Sequence, residues 1–61
     1  MLERQKILEI AKTLFNENGY FNVTMRQISN HLGISVGNLT YYYPKKADIL
    51  CGIMAQSLHD V

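Results

Sequence analysis

The sequence predicts an all-α fold: a small helical bundle carrying a helix-turn-helix, plus the start of a fourth, connecting helix. Three observations predict it. Apolar residues recur three and four apart through most of the 61 residues, and no segment alternates as a strand would. Gly33 closes one such segment and Ser35 opens the next. A tight turn with glycine between two short helices marks a helix-turn-helix, whose second helix enters the DNA major groove. Pro44 then stops that second helix before a further apolar segment.

The first helix is expected over residues 2–18. Ile7, Ile10, Ala11, Leu14 and Phe15 form its apolar stripe, with Arg4, Glu9, Lys12 and Asn16 largely opposite. Gly19 is expected to cap it in the left-handed conformation. Tyr20, Phe21 and Val23 should return apolar groups to the core from the following loop. The second helix is expected over 25–32. Thr24 and Gln27 fit a capping box at its start, Ile28 and Leu32 are its expected core pair, and Gly33 ends it. Ser35 is the expected N-cap of a third helix over 36–42. Leu39 and Tyr43, four apart, should face inward. So short a helix is unstable alone and must be held by packing through Leu39, Ile34 and Tyr43.

The fourth helix is expected from Lys45 or Lys46 onward, with Asp48 in its first turn suiting the helix dipole. Ala47, Ile49, Leu50, Cys51, Ile53, Met54, Ala55 and Leu58 cover more than one of its faces. Such a helix expects a second packing partner. The expected organisation is a helix-turn-helix domain over 1–46, with 47–61 leading to a C-terminal domain absent from this sequence.

Composition bounds the function. One small domain of this length buries only ~60% of the surface its unfolded chain exposes. With 48% hydrophobic and 18% charged residues, the chain has globular rather than disordered composition. It contains no apolar run long enough for a membrane span and no secretory signal pattern, so the expected compartment is the cytoplasm. Cys51, the single cysteine, is expected in a helix interface. Cys51, His31 and His59 show no metal-ligand spacing, and no cofactor is expected. No nucleophile–base pair, carboxylate pair or phosphate loop suggests an enzyme. The net charge of +1 says little, but its distribution says more. No acid lies between Glu17 and Asp48, while Arg26, Lys45 and Lys46 do, which gives a local positive face of the kind DNA attracts.

The ordered set Ile7, Ala11, Leu14-Phe15, Gly19-Tyr20, Thr24, Ile28, Leu32-Gly33-Ile34-Ser35, Gly37, Leu39, Tyr41-Tyr42-Tyr43-Pro44, Lys46 and Leu50 resembles the N-terminal, homeodomain-like DNA-binding domain of TetR-family transcription regulators. The resemblance implies a bacterial, cytoplasmic homodimer, usually a repressor, that reads a palindromic double-stranded operator. It also implies a larger helical C-terminal domain that binds a small-molecule inducer and forms the dimer. The chain departs from the family's common pattern at Thr40, Tyr43 and Lys45, where tyrosine, phenylalanine and serine or asparagine are usual.

On this reading Arg26 contacts a base edge or a phosphate. Val36, Asn38 and Thr40 project from the early part of the recognition helix toward bases. Gly37 either lets that helix approach base edges or packs against helix two. Tyr41 and Tyr42 reach phosphates through their hydroxyls. Thr24 and Ser35 cap helices whose N-termini also suit a phosphate. Lys46, and less directly Lys45, are expected at phosphate, because a cation at a helix start is disfavoured unless an anion is near. A rival reading is a helical protein-interaction module that docks a partner on helix four.

Overall fold

The computed structural model describes residues 3–59, with side chains as far as Gln56. It holds four helices and one 3-10 turn: α1 (Arg4–Asn18), the turn Tyr20–Asn22, α2 (Met25–Leu32), α3 (Val36–Tyr42) and α4 (Lys46–His59). The expected start of α1 at Leu2 lies outside the described residues. α1 is the hub, packing against α2, α4 and the 3-10 turn, while α3 packs on α2.

α1 buries Ile7, Leu8, Ala11 and Leu14, with Ile10 and Phe15 packed at the margin. Leu8 joins the apolar stripe expected from the sequence, because α4 covers it. The two helices cross so closely at Gly52 that a Cβ there would lie 3.0 Å from a Leu8 methyl. A helix flanked on two sides buries a wider stripe than one flanked on a single side.

Gly19 ends α1 at positive φ, but not as the left-handed cap expected. Its φ of 87° and ψ of 141° lie outside that region, in backbone space that glycine reaches readily. Its amide donates to the Phe15 carbonyl at 2.8 Å, and the chain passes directly into the 3-10 turn. That turn corrects a second expectation: Phe21 is 90% exposed. Residues three apart eclipse one another in 3-10 geometry, so Tyr20 and Val23 share the inner side and Phe21 is left outside. Val23 is fully buried, and Tyr20 packs edge-on against Phe15 with centroids 5.1 Å apart.

The capping box of α2 is complete. The Gln27 amide donates to Thr24 Oγ1 at 3.1 Å, and the Thr24 amide donates to Gln27 Oε1 at 2.9 Å. Ile28 is buried as expected, while Leu32 is only partly so. Ser29 is buried as well, and its hydroxyl donates to the Arg26 carbonyl at 2.9 Å and so enters the core satisfied. At Gly33 the backbone is left-handed, with φ 74° and ψ 28°. Its amide donates to the Asn30 carbonyl and that of Ile34 to the Ser29 carbonyl, the paired bonds of a Schellman turn. Ser35 then caps α3, its Oγ accepting the Asn38 amide at 3.1 Å. Leu39 points inward and is fully buried, with Tyr43 partly buried against the same core.

α4 opens at Lys45, whose carbonyl accepts the Asp48 and Ile49 amides and whose own amide donates to Asp48 Oδ2 at 3.1 Å. The Asp48 carboxylate thus supplies the back half of a capping box where the lysine offers no cap oxygen. Ile49 is fully buried and Ile53 packs beside it, so the first half of α4 belongs to the same core as the helix-turn-helix. Cys51 is exposed, contrary to expectation. At about 100° per residue it lies about 200° from Ile49, on the outer face with Met54 and Ala55. The side chain of Leu58 lies outside the described residues.

Two substitutions test this packing in urea melts. Gly33→Ala meets no atom within 4 Å, so its cost is the left-handed backbone alone, about 1–2 kcal/mol. Leu39→Ala removes a fully buried anchor of α3 and should cost roughly 2–5 kcal/mol. A neutral Leu39→Ala would mean that α3 is held by other contacts.

Candidate nucleic-acid interface

The outward face of α3 follows from its inward one. With Leu39 and Tyr43 toward the core, a spacing of about 100° per residue puts Gly37 and Tyr41 at the centre of the opposite face. Thr40 flanks them on one side and Asn38 on the other, while Val36, three residues before Leu39, lies nearer the inward side. Exposure agrees: Tyr41 is 83% exposed, with Gly37 and Asn38 also exposed, and Val36 in the first turn keeps 38% of its surface. Thr40 is half-buried, and its hydroxyl donates to the Gly37 carbonyl at 3.1 Å. That bond turns its polar group back on the helix. Tyr42 lies on the flank nearer the core, half-buried, with its ring edge-to-face on Tyr41 at 5.5 Å.

For Gly37 the sequence admits both base approach and packing against helix two. Packing does not require it. A Cβ there would meet only Ser35 Oγ, at an ordinary 3.8 Å.

Thr24 and Arg26 are both exposed in the first turn of α2. The α2–α3 turn fixes this short helix against the recognition helix. Ser35 and Thr24 each spend a side-chain oxygen on their own helix start. Lys45 is exposed beside Pro44.

Lys46 sits differently from the rest. Its Nζ is turned inward, donating to the Tyr20 carbonyl at 2.7 Å and the Val23 carbonyl at 3.0 Å. The ammonium also lies 4.3 Å from the Tyr20 ring centroid. Hydrogen bonds to a charged group are each worth roughly 1.5–3 kcal/mol and a cation–π contact about 0.5–2 kcal/mol, discounted here for partial exposure. Sequence reading missed this tie because its partners are main-chain carbonyls more than twenty residues upstream, which carry no side-chain signal.

The assembled surface is a short helix presenting small, amide, methyl and phenol groups, with an exposed arginine on the adjoining helix. Donors and methyl-bearing groups of this kind suit base edges and phosphates. Among the described residues no cluster of His, Cys, Asp or Glu could hold a metal ion, and no helix is long and apolar enough to cross a membrane.

Residues 7–51 match the family described as bacterial regulatory proteins, tetR family. The chain is also similar to HTH-type transcriptional regulators of Staphylococcus aureus. It is 38% identical over 56 residues to one from the bovine strain RF122 / ET3-1, covering 92% of this chain and 30% of the relative. It is 38% identical over 55 residues to one from strain USA300, covering 90% of this chain and 30% of that relative. The chain therefore spans about a third of the length of the curated relatives it matches.

Gly37→Ala separates fold from interface. Alanine should stabilise the free protein by up to about 1 kcal/mol through helix propensity, since it meets no obstacle. It should at the same time weaken DNA binding, because the added methyl stands at the centre of the outward face. Stabilisation with unchanged DNA affinity would place Gly37 away from the nucleic acid.

Proposed function

The chain belongs to the tetR family of bacterial regulatory proteins, and on that footing we propose that it is the sequence-reading domain of a transcriptional repressor. α3 enters the major groove of double-stranded DNA. The observation that carries this reading is the outward face of α3, centred on Gly37 and Tyr41 and delivered by the Gly33 turn.

Val36, Gly37, Asn38 and Thr40 read base edges, with Val36 and the Thr40 methyl suited to a thymine methyl and Asn38 to adenine. Arg26 reads a base from the start of α2, where arginine makes the commonest specific contact, bidentate to guanine. Tyr41, Tyr42 and Lys45 set the register on phosphates, assisted by the helix starts at Thr24 and Ser35. The acid-free stretch between Glu17 and Asp48 keeps repulsion from the phosphate backbone low. We place homodimerisation and a small-molecule inducer site in regions of the kind that the curated relatives have and this chain does not span. Two copies would then read a palindromic operator in the bacterial cytoplasm, and inducer would release them.

A salt titration with a mixed-sequence duplex tests the class of function. Binding through phosphates releases counterions, so affinity must fall steeply with salt. A salt-insensitive or absent interaction would favour a protein-docking module built on the outer face of α4. Within the DNA reading, Arg26→Ala should cost about 1–3 kcal/mol on the preferred duplex and relax preference at one position of each half-site. The check is binding to single-substituted duplexes. An even loss across all of them would move Arg26 from base to phosphate.

A further inference from the structure

Lys46 stands first in α4, where a positive charge opposes the helix dipole. The geometry removes the conflict without an external anion. The four-carbon stem carries the ammonium away from α4 to the carbonyl end of the 3-10 turn, where Tyr20 and Val23 offer oxygens at 2.7 and 3.0 Å. The Tyr20 carbonyl already accepts the Val23 amide at 3.3 Å, so the ammonium sits where the turn's carbonyl dipoles converge. The Tyr20 ring supplies a further negative surface at 4.3 Å. An ammonium has three N–H donors, and two are committed here. Val23 immediately precedes Thr24, the N-cap of α2. Lys46 thus bonds the start of α4 to the start of α2.

We propose that Lys46 is a positioning residue for DNA reading: it acts through the first turn of α2, fixing the direction in which Arg26 leaves the protein, and it holds no phosphate. With two of its three donors on these carbonyls, the ammonium is held to the turn without any external anion. The proposal rests on the DNA-binding reading above for its consequence, but the tie itself can be tested without DNA.

The experiment uses the intact protein with Lys46→Met, which keeps the stem and removes charge and donors, and Lys46→Arg, which keeps both. Should the methionine variant fail to fold, Lys46→Gln carries the same comparisons. In hydrogen exchange without DNA, Lys46→Met should speed exchange in residues 20–27 by about tenfold or more, since either of the two charge-assisted hydrogen bonds lost is worth that much, and leave 36–42 unchanged. A general loss of stability would raise both segments alike and overturn the positioning role.

Binding is then measured at several salt concentrations. The probes are a mixed-sequence duplex and a duplex that the unaltered protein selects from a randomised library. Lys46→Met should weaken the selected duplex about tenfold and the mixed duplex much less, with an unchanged salt slope, and Lys46→Arg should restore selective binding. Added to Arg26→Ala, it should weaken the selected duplex no further, as coupled residues behave. Equal loss on both duplexes with the slope reduced by about 0.9 would make Lys46 a phosphate ligand, and full additivity with Arg26→Ala would break the link to α2; either result overturns the proposal. If the unaltered protein selects no duplex, the DNA-binding reading fails while the exchange comparison still decides whether Lys46 holds the start of α2.

Discussion

At Gly33 the chain must leave α2 in the left-handed conformation, and the placement of the recognition helix depends on it. The bonds from Gly33 to the Asn30 carbonyl and from Ile34 to the Ser29 carbonyl close the turn and satisfy the open end of α2. Ile34 is drawn against the core, and Ser35 two residues past the glycine caps α3. α3 is too short to persist without this, because its nucleation is costly and it buries a single residue completely. Leu39 is therefore held between a rigid turn before it and Tyr43 after it. The outward direction of Gly37 and Tyr41 is the geometric complement of that anchorage.

The core is small and shared. α1 gives Ile7, Leu8, Ala11 and Leu14, α2 gives Ile28, α3 gives Leu39 and α4 gives Ile49, with Val23 from the loop. No helix could be removed without exposing part of another's buried face. This is why α4 cannot be described only as a connector: its inner side completes the core, and Gly52 lets it lie close on Leu8. Its outer side, with Cys51 and the 58% exposed Met54, contributes nothing to that core.

Charge follows the same economy. Asp48 is the first acid after Glu17, and its carboxylate is bonded to the Lys45 amide. Of the three cations in the acid-free stretch, Arg26 and Lys45 are exposed and Lys46 is turned inward. A count of basic residues alone would overstate the positive charge offered to a partner. What the surface offers beyond charge is shape: a helix face with no side chain at its centre and a tyrosine one turn further on.

Local signals determined much of this protein. The limits of α2 and α3 follow from Thr24, Gly33, Ser35 and Pro44, because caps and breakers act on neighbouring backbone and need no distant partner. The burial of Ile28 and Leu39, and the outward set on α3, follow from helical period once one inward residue is known. The class of fold, and with it the family, was legible in the same residues. Tertiary structure decided the rest. Phe21 is outside and Val23 inside because a 3-10 turn, not a loop of unspecified shape, joins α1 to α2. Leu8 is buried and Cys51 exposed because α4 lies along one side of α1 and not another. Lys46 faces inward because main-chain carbonyls distant in sequence come within reach of its stem. In each case the deciding contact joins elements that sequence spacing does not relate, and hydrophobic period reports which residues share a face but not what lies opposite it.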